Sequence, residues 1–132
     1  AFIFLVMKDL ETPEDIYKIV ATFYDNLLGD SAISYLFTDV VVIQLEEHLP
    51  ILVTFWSQAL LGTGGYYKNL TQIHLDVHHK SALTPELFTR WINHFYAAID
   101  AHFQGFNCER MKTQALNLAT VMQIKIAQES NK

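Results

Sequence analysis

The sequence predicts an all-α fold, and three observations carry that expectation. Apolar residues recur three and four positions apart through most of the chain. Two Thr-Pro-Glu triplets, at Thr12-Pro13-Glu14 and Thr84-Pro85-Glu86, have the form of helix starts. Strand signals are nearly absent: the β-branched run from Asp39 to Ile43 abuts a helical pattern and has no alternating partner. With 132 residues, 51% of them hydrophobic, the chain is expected to build one domain with a real core over residues 1–132, residues 1–11 forming an N-terminal extension.

The first helix begins where the Thr12 hydroxyl serves as N-cap, Pro13 takes the first helical position and Glu14 and Asp15 put acids in the first turn. Ile16, Val20, Phe23 and Leu27 keep its apolar spacing, and Gly29 closes it. A short helical turn is expected over residues 31–37, capped by Asp30 or Ser31. The next helix is expected from about Val42 to Leu61, with Leu45, His48, Leu52, Phe55, Trp56 and Ala59 on one face and Gly62 as its stop. Pro50 lies inside it and removes a backbone hydrogen bond, so a kink or a late start close to His48 is expected.

Residues 62–69 carry three glycines and read as a loop, followed by a short helix from Leu70 to Val77 that holds His74. The helix opened by Thr84 presents Phe88, Trp91, Phe95, Ile99 and Phe103 along one side. Asn107 is expected to cap the last helix, whose buried stripe is Met111, Ala115, Leu118, Met122 and Ile126.

Composition bounds the function. Charged residues make up 17% of the chain and aromatics 13%, so there is apolar surface to cover, either by a bound apolar cofactor or by a second copy of the protein. A formal net charge of −5 with no long basic run excludes a nucleic-acid role built on phosphate neutralisation. The single cysteine, Cys108, cannot form an internal disulfide and fits a reducing compartment. The opening AFIFLVM is too short to span a bilayer and lacks a basic leader, so neither a membrane partner nor a signal peptide is expected, and the location is expected to be cytoplasmic. The sequon at Asn69-Leu70-Thr71 is read as chance.

Two histidines, His48 and His74, sit on apolar helical stripes. Imidazole is a common iron ligand, and haem held by one histidine keeps a position free for a gas. From the pattern alone, a core histidine satisfied by backbone is the commoner meaning of His74, and a solvent-wetted helix edge near Glu46 and Glu47 is an equal account of His48. His78, His79, His94 and His102 make no metal-ligand spacing, and no zinc, phosphate-loop or Ser-His-Asp signature occurs.

From Asp15 to Ile126 the chain resembles a truncated haemoglobin, a two-over-two helical sandwich around haem, and most of all its third group. The likeness is carried by Phe23-Tyr24 in TFYDNLL, Phe37 in SYLFTD, EEHLPILVTFW over residues 46–56, IHLDV over 73–77 and FTRWINHF over 88–95, in that order and spacing. The paired-glycine motifs of the other two groups are missing, as the third group implies. The resemblance implies that His74 is the proximal ligand of haem b (heme b, iron protoporphyrin IX), and that Tyr24, His48 and Trp91 face the ligand side. It implies too that Phe37 packs on the ring and that Trp56 backs the pocket.

Leu52, Phe55, Phe88, Phe95 and Met122 are further candidate walls, for which packing a core and packing a porphyrin require the same apolar surface. Tyr66, Tyr67, Lys68, Lys80 and Arg90 stand where propionates would emerge, and about two of the five are expected to make contacts. Tyr24 and Trp91 are the donors expected to stabilise a diatomic ligand that gains negative charge, each such bond contributing roughly 1–3 kcal/mol in a dry site. The leading expectation is therefore a haem protein that binds O2, NO or CO. The alternative is a haem enzyme, a nitric oxide dioxygenase or peroxidase-like activity. No flavin or nicotinamide signature is present, so such an enzyme would need an external reductase. A haem-free helical interaction module is the third reading, with His74 as the evidence against it.

Overall fold

A computed structural model describes residues 6–65 and 69–130, and all regular structure among them is helical. The elements are α1 (Pro13–Leu28), a π-helical turn (Leu36–Val40), α2 (Leu45–Leu61), α3 (Leu70–Lys80), α4 (Pro85–Asp100) and α5 (Phe106–Ser130). α1 packs on both α2 and α4, and α5 packs on α2, α3 and α4. Two helix pairs, α1 with α2 and α4 with α5, thus lie one over the other. α3 stands apart and leans on α5.

The helix starts opened by threonine form as their sequences dictate. Thr12 Oγ1 accepts the Asp15 N–H at 3.2 Å while the Asp15 carboxylate accepts the Thr12 N–H at 3.3 Å, a reciprocal capping box. Thr84 Oγ1 accepts the Leu87 N–H at 3.3 Å with Pro85 at the first helical position. Ile16, Ile19, Val20 and Leu27 of α1 meet Phe95 and Ile99 of α4 and Met111 of α5 in a core from which water is excluded.

Several elements depart from the sequence expectation. The short helix expected over residues 31–37 is instead a turn followed by the π-helical turn. Its Val41 N–H reaches five residues back to the Leu36 carbonyl at 2.8 Å. α2 starts at Leu45, not Val42, because the β-branched run up to Ile43 stays extended and Gln44 enters the helix at φ −91° and ψ 104°. The late start puts the bond lost at Pro50 on the Glu46 carbonyl, within the first turn, and α2 runs on to Gly62, whose φ of 72° closes it. α3 continues past Val77 to Lys80, since His78, His79 and Lys80 suit the negative end of a helix.

Asn107 does not cap α5. Its Nδ2 donates to the Leu10 carbonyl at 2.9 Å, and the cap comes from Asp9, whose carboxylate oxygens accept the Asn107 N–H at 2.8 Å and the Cys108 N–H at 3.1 Å. Gly105 makes room for that approach: a Cβ there would lie 2.5 Å from Asp9 Cγ, on a backbone at φ 153°. Within the expected N-terminal extension, residues 8–11 therefore belong to the packed domain, with Leu10 fully buried in the core. No helix among the described residues is long and apolar enough to cross a membrane.

Candidate functional site

Between the helix pairs and α3 lies a cavity of about 470 Å³, within the range of small-molecule and cofactor sites. Its walls come from every element. Val20, Phe23 and Tyr24 line it from α1, Leu36 and Phe37 from the π-helical turn, His48, Leu52, Phe55 and Trp56 from α2, and His74 from α3. Phe88, Trp91 and Phe95 come from α4, Leu118 and Met122 from α5. Eleven of the thirteen candidate residues are thus brought to one space; Arg90 is not part of its wall, and Tyr67 lies outside the described residues.

His74 is placed by its own helix. Asn69 caps α3 by accepting the Gln72 N–H at 3.0 Å, and one turn on the His74 Nδ1–H donates to the Leu70 carbonyl at 2.9 Å. That bond fixes the tautomer: Nε2 carries the lone pair. Burial pulls the His74 pKa below the ordinary histidine value, against a smaller upward pull from the Leu70 carbonyl. The imidazole is therefore kept neutral, the form in which it ligates a metal.

Tyr24 and His48 arrive from α1 and α2 and meet, the phenol oxygen 2.7 Å from His48 Nε2 and the rings edge to face at 5.3 Å. Burial drives the Tyr24 pKa far above the usual phenol value, so it stays an O–H. The pair has two proton arrangements. With Nε2 as acceptor the phenol proton is engaged by His48. With Nε2 protonated, the imidazole donates to the phenol oxygen and the O–H is turned loose to serve a guest in the cavity. The Trp91 indole N–H has no hydrogen-bond partner among the described residues, which leaves a second donor available.

The rings brace one another. Phe23 meets Tyr24 at 5.4 Å, Trp91 at 5.7 Å and Phe95 at 5.0 Å, all edge to face, and Trp56 lies 5.2 Å from Phe95. Phe37 meets Tyr24 at 5.5 Å. A wall built this way is held in shape by its own contacts.

Arg90 pairs with a carboxylate of the protein itself. Its guanidinium is not part of the cavity wall and donates to Asp30 at 3.1 Å, beside His94 Nε2 at 2.7 Å from the same carboxylate oxygen. The His94 bond, the Ala32 N–H and Arg90 hold the Asp30 pKa down at about 2. Lys80 is likewise absent from the cavity wall, while Tyr66, Tyr67 and Lys68 lie outside the described residues. Glu47 is the one acid in the described wall. Among the described residues, no group of three or more His, Cys, Asp or Glu side chains has the arrangement of a metal site.

Sequence reasoning missed part of the wall. Ile51, Ile73, Val77 and Leu118 line the cavity too, and their signal was present: each neighbours a chosen residue at helical spacing, or sits beside one. Val41, Val42, Ile43 and Gln44 had no such signal, since they belong to the extended entry to α2.

The residues fit a flat apolar macrocycle with a single nitrogen ligand: the cavity is walled by aliphatic and aromatic side chains, and one neutral imidazole with an uncommitted nitrogen enters from α3. No protein-family model matches the sequence, and no curated protein matches it. A solved structure does match, that of a group III truncated hemoglobin from Campylobacter jejuni. The TM-score is 0.79 at 23% sequence identity, over 90% of this chain and 94% of that one. This protein has the truncated-haemoglobin fold.

Proposed function

We propose that this protein, folded as a truncated haemoglobin, holds haem b in the cavity through His74 and binds a diatomic gas there. The observation that carries the reading is the His74 imidazole, whose Nδ1–H is spent on the Leu70 carbonyl so that Nε2 keeps its lone pair beside an apolar cavity. Bound there, haem supplies an iron with one coordination position open to O2, NO or CO.

The chain's own residues do the rest. Phe37, Leu52, Phe55, Trp56, Phe88, Phe95 and Met122 keep water out and offer apolar surface to the macrocycle. The Tyr24 O–H and the Trp91 N–H are donors for a guest that gains negative charge, and in a dry site each is worth roughly 1–3 kcal/mol. His48 governs the first of them through the direction of its own proton. Two donors at one site favour retention of oxygen over its rapid delivery.

Haemin titration tests the reading. The protein is expected to take up one equivalent and develop a Soret band, with a ferrous spectrum of one axial imidazole. His74→Ala is expected to lose that ligand and regain it on adding free imidazole. A purified protein that shows no Soret band with haemin would end the proposal, and a normal ferrous spectrum in His74→Ala would move the ligand elsewhere.

A further inference from the structure

We propose that His78 and His79 are positioning residues that clasp the end of α3 and so set where the His74 imidazole stands over the cavity. The proposal rests on the haem-site reading for its consequence at His74, and on the structure alone for the clasp itself.

α3 is placed unlike the other helices. None of its residues is fully buried, and the underside formed by Leu70, Ile73, His74 and Val77 faces the cavity in place of a packed core. Its principal helix neighbour is α5, where Leu70 and Leu75 touch the small cluster of Phe88, Ala119, Met122 and Ile126. A helix resting on a space has few interlocking side chains to fix its register. Polar links at its end are then what is left to hold it.

The adjacent histidines supply two such links in different directions, their rings 6.3 Å apart and inclined at 52°. His78 Nδ1 accepts the Leu83 N–H at 3.0 Å and ties α3 to the connector that leads into α4. His79 Nε2–H donates to Glu129 Oε1 at 2.6 Å and ties α3 to the last turns of α5, 50 residues further along the chain. Glu129 stands near the C-terminal end of α5, where the helix carbonyls disfavour a carboxylate, so an N–H donor from His79 relieves that position. Its other oxygen, Oε2, is buried without a partner among the described residues, which leaves the His79 bond to orient the group. Because His79 is half exposed, the bond adds little to global stability, and its effect falls on the placement of α3. His74 lies five residues earlier on the same helix, so a shift at the clasp is carried to it.

The test uses His78→Ala, His79→Ala, Glu129→Ala and the His79/Glu129 double variant of the full chain. Amide exchange over residues 71–80 is read in the haem-free protein. In the haemin-loaded protein the readouts are haemin transfer to an apomyoglobin scavenger and the iron–histidine stretching band. Each single variant is expected to raise α3 exchange and haemin loss about threefold or more and to displace the band, with the urea midpoint nearly unchanged. The double variant is expected to go no further than His79→Ala, and His79→Gln, which keeps an N–H donor, to recover part of the loss. Exchange, haemin loss and band all at wild-type values would overturn the clasp. If the wild-type protein takes up no haemin, the haem reading fails, and unchanged or faster α3 exchange still decides whether the clasp exists.

Discussion

Tyr24 is the residue whose chemistry depends most on a single neighbour. Its side chain is buried at 6% exposure, its hydroxyl stays protonated, and it shares one 2.7 Å contact with His48. Under the proposed function, Tyr24→Phe removes the donor and keeps the ring that packs on Phe23 and Phe37. Oxygen dissociation is expected to quicken by about tenfold or more, the equivalent of a lost bond of roughly 1.4 kcal/mol. Stopped-flow displacement of oxygen by carbon monoxide reads it, and an unchanged rate would take Tyr24 out of that role. At this scale the helical stripes point to a shared space for His48, Phe55, Trp56, Phe88, Trp91 and Phe95, while Tyr24 and Phe37 were brought to it by the family resemblance. The sequence is a poor guide to their bonds. Nothing in the residue types at 24 and 48 says that the phenol and the imidazole meet, or that Arg90 turns to Asp30, because both pairings join residues remote in the chain.

Helices whose caps are local are readable, and the one whose cap is remote is not. Thr12 and Thr84 stand within three residues of the N–H groups they accept. α5 borrows its cap from Asp9, 98 positions from Asn107 in sequence, so spacing alone selects Asn107 in error. Burial raises the Asp9 carboxyl, but the N–H groups of Asn107, Cys108 and Leu10 more than offset it and the pKa is lowered. Asp9→Ala is expected to cost about 1–2 kcal/mol in urea unfolding, as for other lost N-caps. Gly105→Ala is expected to cost at least as much, since its Cβ and the Asp9 side chain claim the same volume. A Gly105→Ala protein as stable as wild type would show that the Asp9 carboxylate is free to move aside. The entry to α2 and the π-helical turn were illegible for another reason. Propensity reports the β-branched character of residues 40–43 without saying where the extended run stops.

Across the molecule, carboxylates tie neighbouring segments together at the edge of the core. Asp30 joins the turn after α1 to His94 and Arg90 of α4, and Asp15 accepts Lys8 Nζ at 2.8 Å and the Glu11 N–H at 2.9 Å. Burial raises the Asp15 carboxyl, yet Lys8 and the backbone N–H groups bring its pKa below the ordinary value. For carboxyls depressed on folding, the stabilisation is complete above the unfolded pKa and is lost as pH falls through the folded one. With Asp30 moved from 3.8 to about 2, that window runs from about pH 4 down to about pH 2. The urea midpoint is expected to fall across it. Asp30→Asn is expected to start lower at neutral pH and to lose less on acidification, and equal losses in both proteins would remove Asp30 from the account. The all-α class was legible from the helical stripes, and the two-over-two arrangement only through the family resemblance that the ordered segments carry. The shape of the cavity's far rim was not, because irregular backbone builds it.

Cys108 shows what the N-terminal segment achieves beyond structure. The thiol is 1% exposed, lies under residues 8–11, and burial pushes its pKa up to about 11. Oxidants react with thiolates and with sulfur that they can touch, and this sulfur offers neither opportunity while the segment is seated. A molecule proposed to work with oxygen and nitric oxide thus carries its one cysteine in a form those gases' by-products find hard to damage, and two copies have no ready means of becoming covalently joined.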